Sequence, residues 1–567
     1  MHAPRSGRRT AISRRHALQA AGIAATTLAT LGMSHRATHA QDATPTAALP
    51  DLTGVTPLPL GGELLATFES SIAATLAKLG VPGTAVGVVQ GGEVTFLQGF
   101  GVRELGRPEP VTPDTLLRIG SVTKSFSSLL AATLVDTGHV TWDTLLVDLL
   151  PDFAVADPDL TSRLTVADAF CACSGLPRRD LEFIFPANDL TPEGMIASMA
   201  SLPLTAPFGE KYQYNNQLVA AGGFAAAVAD GGAPYALGRS YTIALRDRVL
   251  NPVGMPRTTY DLTEVVAGND YASPHAADLF GELRPVPLMM DDTWLVPVAP
   301  SGALWSSARE MVRYVQTELQ HGVAPDGAHV VSPENLERTW QPGVALPAAP
   351  GTPPEMAAFA QHYGLGWVVG TYGGQRIIWH SGGTLGFSAL VTFLPESDLG
   401  VVVLTNGSGN AGQMIYAVVF RLLELLFEQP ATMDALVEAN LARATSGRED
   451  LLATIGQIDP AGVTPFLGTY RNPDLGDLTL LLHGDTLTFV SGPYRSALLP
   501  QMGEDGSITG YLIVDPPLSG FPPQMTITLI QDDDDNPSVV IIVPADAGDP
   551  DLVYIYKPLS LEATPTA

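Results

Sequence analysis

Apolar and polar positions change their spacing several times along the chain, and each change marks an element. From residue 61 the run LLATFESSIAATLAKLG sets apolar side chains at helical spacing and stops at Gly80. TAVGVVQ and EVTFLQGFG are two apolar runs joined by Gly91-Gly92, which predicts a hairpin after that helix. LLRIG reads as a strand or loop end passing into a helix, SVTKSFSSLLAATLVDTG, closed by Gly138. Much later VVVLTN (401–406) has the character of a last core strand and MIYAVVFRLLELLFEQ that of a helix closing the domain. A polar helical connector follows to about residue 460. The texture then changes to short alternating runs, FLGTYRNPDLGDLTLLLHGDTLTFV, ITGYLIV, QMTITLI, SVVIIV and LVYIYKP, cut by Gly, Pro and Asp. They predict a small antiparallel β-domain, sheet or barrel.

The N-terminus carries a different signal. SRRHAL (13–18) puts two arginines before an apolar run too short to span a bilayer, and Thr38-His39-Ala40 offers a small-residue cleavage site. Residues 1–40 are expected to be a twin-arginine export signal, with an ordinary Arg-rich secretory signal as the alternative. Either places the protein in the periplasm, cell wall or extracellular space. No Cys follows the signal, so no lipid anchor is expected to remain after cleavage. Residues 41–60, rich in Pro, Thr and Ala, read as an extended linker.

Composition narrows the partners. The 46% hydrophobic content of these 567 residues is ample for a packed core and for two or three domains. The formal net charge is −28; since residues 1–40 hold six Arg and no acid, the remainder carries 24 − 58 = −34. Such a surface repels nucleic acid and anionic membrane, leaving a small-molecule or peptide substrate as the expected partner. Oligomeric state is not legible. Cys171 and Cys173, one residue apart, have a spacing that rarely forms a disulfide and too few ligands for zinc, so two small buried side chains are expected. The chain has no HExxH, no P-loop GK[ST] and no GxSxG, and no metal or cofactor is implied; the Asp run at 532–535 reads as a solvated loop.

Against that background one cation stands out. The chain has only four Lys (Lys78, Lys124, Lys211, Lys557) against 26 Arg. A lysine, unlike an arginine, can lose its proton when desolvated. Lys124 lies three residues after Ser121 at the start of a predicted helix, so both side chains share a face. A neutral lysine could then take the proton that makes a serine hydroxyl a poor nucleophile, and the helix N-terminus would offer N–H groups to an oxyanion. Ser-x-x-Lys is short, and a Ser cap followed by a surface Lys has the same spelling.

Context decides between them. LRIGSVTKSF after a GG hairpin, then CACSGLP (171–177), FGEKYQYNNQLVAAGG (208–223), and YGLGW (363–367) followed by WHSGGTLGFS (379–388), occur in this order. Together they resemble the serine β-lactamase and penicillin-binding protein superfamily, more closely its class C β-lactamase-like branch, over about 61–428. That branch also holds D-aminopeptidases, carboxypeptidases and esterases. The resemblance implies an α+β fold, an antiparallel sheet flanked by helices with a helical subdomain. The β-domain that follows resembles the lipocalin-like C-terminal domain of some members. The expected organisation is 1–40 signal, 41–60 linker, 61–428 hydrolase domain, 429–460 connector and 461–567 β-domain.

The same resemblance implies Ser121 as nucleophile, Lys124 and Tyr214 as catalytic groups, and Asn216, His380, Gly382 and Gly383 for substrate and oxyanion binding, with the N–H groups of Ser121 and Gly383 forming the oxyanion hole. Tyr214 could relay a proton if nearby cations lower its pKa, and Asn216 could hold a substrate carbonyl or Lys124. Two departures matter. His380 stands where the best-known members have a lysine, so recognition of a free carboxylate is expected to be weaker or pH-dependent. Ala172 stands where the HTSGLP segment usually has His. Two readings follow: an exported serine hydrolase acting through an acyl-enzyme on an ester, amide or D-amino-acid peptide, with efficient β-lactamase activity disfavoured, or an exported non-catalytic binding or scaffold protein on the same fold.

Overall fold

Gly80 ends helix α1 (Gly62–Leu79) in the left-handed conformation, φ 65°, and the chain turns directly into a hairpin of β1 (Gly83–Gln90) and β2 (Glu93–Gly101) over Gly91-Gly92. The computed structural model describes residues 49–186, 190–348, 352–520, 525–532, 536–544 and 551–559. The expected export signal, residues 41–48 of the linker and residues 533–535 of the Asp run lie outside them.

The hairpin is one edge of an eight-stranded antiparallel sheet. Its other strands are β3 (Val344–Ala345), β4 (His362–Tyr363), β5 (Val368–Tyr372), β6 (Gln375–Gly383), β7 (Ser388–Leu394) and β8 (Leu399–Thr405), and the order across the sheet is β2-β1-β8-β7-β6-β5-β4-β3. The first and last strands of the domain therefore lie side by side next to that edge, where β1 pairs with β8 from Thr84↔Thr405 to Gln90↔Leu399. Alternate residues supply two cores. Val86, Val88, Val401 and Val403 face α1 and the helix over Gln413–Leu426, whereas Ala85, Val89, Val402 and Leu404 face the layer that holds Met311 and Val312. With helices on both faces, the strands read as continuous apolar runs.

On the second face lie α2 (Thr123–Asp136), α3 (Asn216–Ala229) and α4 (Ala308–Leu319). Helix α2 is buried on every side from Thr123 to Leu134, so it has no polar stripe. Two of its serines are satisfied by backbone carbonyls: Ser125 Oγ donates to Val122 O at 2.8 Å and Ser127 Oγ to Pro300 O at 2.6 Å, while the buried Ser128 Oγ has no hydrogen-bond partner among the described residues. Helix α5 (Gln413–Leu426) packs on α1, and α6 (Met433–Ala453) leads away from the domain. Among the described residues no helix is long and apolar enough to cross a membrane.

The C-terminal segment is a closed eight-stranded barrel: β9 (Gly468–Asn472), β10 (Gly476–His483), β11 (Thr486–Ser491), β12 (Tyr494–Met502), β13 (Ile508–Ile513), β14 (Thr526–Gln531), β15 (Pro537–Val543) and β16 (Leu552–Pro558). It closes where Tyr470 and Arg471 pair with Pro558 and Lys557. Buried Tyr470, Phe489, Tyr494, Ile541 and Tyr556 belong to its core. The barrel seats on the hydrolase-like domain through the segment after Pro177: the Phe185 ring packs 6.1 Å from Phe489 and 5.9 Å from Tyr494, and Tyr554 Oη lies 3.4 Å from Glu182 Oε1.

The cysteines correct the sequence reading. Cys171 and Cys173 form a disulfide, with Cα atoms 5.2 Å apart. The spacing rule assumes ordinary backbone between the two, but Ala172 adopts φ +50°, which folds the chain back on itself.

Candidate active site

Ser121 sits in a single 3₁₀ turn (Gly120–Val122) that feeds α2, and two glycines set its depth. Gly120 has φ +53°, and a Cβ there would fall 2.6 Å from Gly383 N. A Cβ on Gly382 would fall 1.8 Å from Ile119 O and 2.9 Å from Ser121 N. The end of β6 can therefore lie flush against the serine turn only with glycine at both places. Beneath the turn, Arg118 is buried against the Trp305 ring, donates to Ala303 O at 2.7 Å and pairs with Asp291 and Asp292.

One helical turn on, Lys124 is fully buried. Its Nζ lies 3.1 Å from Ser121 Oγ, 2.7 Å from Asn216 Oδ1 and 2.6 Å from Ser301 O. Burial pushes its pKa well below the usual lysine range; Asp180 opposes that shift and Arg178 adds to it.

Asn216 opens α3, whose N-cap is Asn215: its side chain accepts from Leu218 N at 2.7 Å and donates to Pro177 O at 2.8 Å. The Asn216 amide is oriented by unlike partners, Lys124 at Oδ1 and Asp180 Oδ1 at Nδ2, 2.9 Å away. Asp180 Oδ2 in turn accepts from Arg178 Nε at 2.7 Å. Of the two tasks expected for Asn216, the structure shows it holding Lys124.

Tyr214 hydrogen-bonds the Ser121 side chain, and its ring lies 4.7 Å from Lys124 Nζ and 5.2 Å from Arg178 Cζ. The expectation that cations lower its pKa is reversed. Burial outweighs the hydrogen bond and the Arg178 charge, and the phenol is pushed above its usual range.

His380 is 4% exposed, with Nε2 2.9 Å from Tyr363 Oη and Nδ1 2.5 Å from Ser381 O. Burial, with Lys124 nearby, pushes its pKa down to about 3. Nδ1–H donates to the carbonyl and Nε2 accepts from Tyr363, a neutral imidazole with both nitrogens occupied. It stands in an aromatic nest with Tyr214, Tyr363 and Tyr212. The charge that a carboxylate-binding histidine would need is not there.

All seven residues singled out in the sequence thus converge on one place. Sequence reasoning missed Arg178, Asp180, Tyr363 and the Ser301 carbonyl. Arg178 and Asp180 follow SGLP directly, which was the available signal; Ser301 contributes backbone only and left none. Among the described residues, no group of three or more His, Cys, Asp or Glu could hold a metal ion.

Comparison with known proteins agrees with this geometry. The chain is 26% identical over 442 residues to an unguisins hydrolase of Aspergillus campestris, covering 74% of this chain and 78% of that one. It is 26% identical over 391 residues to penicillin-binding protein 4 of Amycolatopsis lactamdurans, covering 69% and 93%. The octameric penicillin-binding protein homologue from Pyrococcus abyssi superposes with a TM-score of 0.56 at 22% identity, over 87% of this chain and all of that one, which shows the shared fold. A model of the Beta-lactamase family matches residues 68–425, and the chain belongs to that family of serine β-lactamases and penicillin-binding proteins.

Proposed function

We propose that this protein is an exported serine hydrolase that forms an acyl-enzyme on Ser121 and hydrolyses an ester, an amide or a D-amino-acid peptide bond. The observation that carries the proposal is the 3.1 Å approach of a buried lysine nitrogen to Ser121 Oγ. A neutral amine has two N–H groups and one lone pair. With the N–H groups given to Asn216 Oδ1 and Ser301 O, the lone pair is left for the proton of Ser121.

In this mechanism Lys124 removes that proton as Oγ attacks the carbonyl carbon, and the N–H groups of Ser121 and Gly383 receive the developing oxyanion. Tyr214, which keeps its proton at neutral pH, donates it to the leaving group and is reprotonated by the ammonium of Lys124, so the proton lost by Ser121 replaces the one Tyr214 gave and Lys124 is neutral again. Water then enters by the same route and releases the acyl group. A relative named for hydrolysing unguisins and another named for binding penicillin support a carbonyl substrate. Neutral His380 supports substrates other than those anchored by a carboxylate at the third motif. The arginine pair of SRRHAL supports twin-arginine export.

The test is a fluorophosphonate probe on the wild-type protein and on Ser121→Ala, read by intact mass. One adduct on the wild type and none on the variant is the expected result. A folded wild type that takes no adduct would remove the hydrolase reading and leave a binding protein on this fold.

A further inference from the structure

The Cys171–Cys173 bridge lies one residue from a carbonyl on which the Tyr214 segment hangs. Residues 212–215 have neither helix nor strand of their own, so tertiary bonds fix Tyr214. Gln213 N–H donates to Ala172 O at 2.8 Å, and Gly209 N–H donates to Cys173 O at 2.7 Å. Both acceptors belong to the three-residue loop that the disulfide closes. Ala172, at φ +50°, is in a region L-residues leave unless something holds them there, and its methyl is buried in the cluster against which Tyr212 and Tyr214 pack. Behind the loop Gly366 N–H donates to Phe170 O at 3.2 Å, and Gly366 itself lies against the Lys124 backbone. The bridged loop stands between the elements that hold the nucleophile's base and the one that holds its proton carrier.

We infer that the Cys171–Cys173 disulfide is a positioning element for Tyr214, so that turnover depends on its being oxidised. The inference rests on the acyl-transfer reading for the role of Tyr214. Cys173 is half-buried and Cys171 borders a surface cleft with Asp168, Arg338 and Gly364, which gives a small reductant an approach. With dithiothreitol, one reductant thiolate attacks a cysteine sulfur and breaks the S–S bond. The second closes a ring on the mixed disulfide and leaves as the oxidised cyclic disulfide, and Cys171 and Cys173 take up two electrons and two protons as two thiols. Ala172 is then no longer held, and the carbonyl that anchors Gln213 moves with it.

The experiment is reversible reduction of the full chain, with thiols counted by alkylation and mass. On reduction kcat for an alkyl ester, whose leaving alkoxide must take a proton, is expected to fall about 100-fold, the scale of a misplaced general acid. KM is expected to change less than about threefold, because binding is not what Tyr214 supplies. Hydrogen exchange over 209–214 is expected to quicken, and reoxidation to restore both. Cys171→Ser with Cys173→Ser is expected to be slow and indifferent to dithiothreitol; should that variant fail to fold, reversible reduction of the wild type decides alone. A reduced, folded protein with the oxidised kcat overturns the inference. If the oxidised protein neither turns over nor takes the Ser121 adduct, the acyl-transfer reading falls separately, and unchanged exchange at Gln213 on reduction then overturns the positioning role on its own.

Discussion

Lys124 Nζ lies 3.1 Å from Ser121 Oγ, and its other two polar neighbours, Asn216 Oδ1 and Ser301 O, can only accept hydrogen bonds. An arginine here would keep a charge that the buried site cannot solvate and could not give up its proton. Lys124→Arg is therefore expected to lower kcat/KM by about 10³-fold or more, and Ser121→Ala to abolish turnover. Steady-state kinetics on a short activated ester decide it; near-wild-type turnover by the Arg variant would remove Lys124 as the base.

Asp180 and Arg178 act on Lys124 with opposite signs. Asp180 favours the ammonium form and Arg178 disfavours it. The base must be neutral, so activity falls as pH drops through the Lys124 pKa, and the acid limb of kcat/KM reports that pKa. Asp180→Asn keeps an acceptor for the Asn216 amide but removes the charge, and is expected to move the limb to lower pH. Arg178→Gln is expected to move it to higher pH. Shifts in the same direction would mean that these charges do not reach Lys124.

How much of this was legible depended on whether the chain or the fold carried the information. Gly80 and Gly91-Gly92 punctuate local structure, so the opening helix and hairpin were readable, and Ser121 and Lys124 share a helix face by spacing alone. The Asn216–Asp180 bond joins residues 36 apart, and only the packed loop after Pro177 brings them together. The charge on His380 was left open because sequence reports a residue type, not its burial between Tyr363 and its own neighbour's carbonyl. The disulfide was misread because spacing says nothing of one left-handed alanine. Closure of the barrel, too, depends on the Arg471–Lys557 pairing of its two ends, which alternation alone does not specify.

His380 decides between the two outcomes its sequence position leaves open, weaker or pH-dependent carboxylate recognition. A charged imidazole would make activity on carboxylate substrates fade as pH rises through the ordinary histidine range. With its pKa pushed down to about 3 by burial, the ring is neutral from pH 5 to 8. Profiles for a carboxylate-bearing ester and its neutral methyl analogue are expected to run parallel across that window. A selective loss of the carboxylate substrate between pH 6 and 7 would show that the ring is charged and reachable.

Glu318, which has no part in the proposed reaction, sets a pH dependence of stability. It is buried on α4, where its Oε2 accepts from Trp340 Nε1 at 3.0 Å, and burial pushes its pKa from 4.5 up to about 8. Between those values the folded chain holds a proton that the unfolded chain has lost, so stability falls as pH rises through the window and levels off above it. Glu318→Gln keeps an oxygen for Trp340 and never ionises. The variant is expected to match the wild type near pH 4.5 and to exceed it above pH 8 by on the order of a few kcal/mol. Lys124, whose lowered pKa acts in the opposite sense, is common to both proteins and cancels in the difference. Urea midpoints for the pair at pH 5, 6.5 and 8.5 make the comparison, and a gap that does not widen with pH would mean that Glu318 is already ionised in the folded protein at the lowest of them.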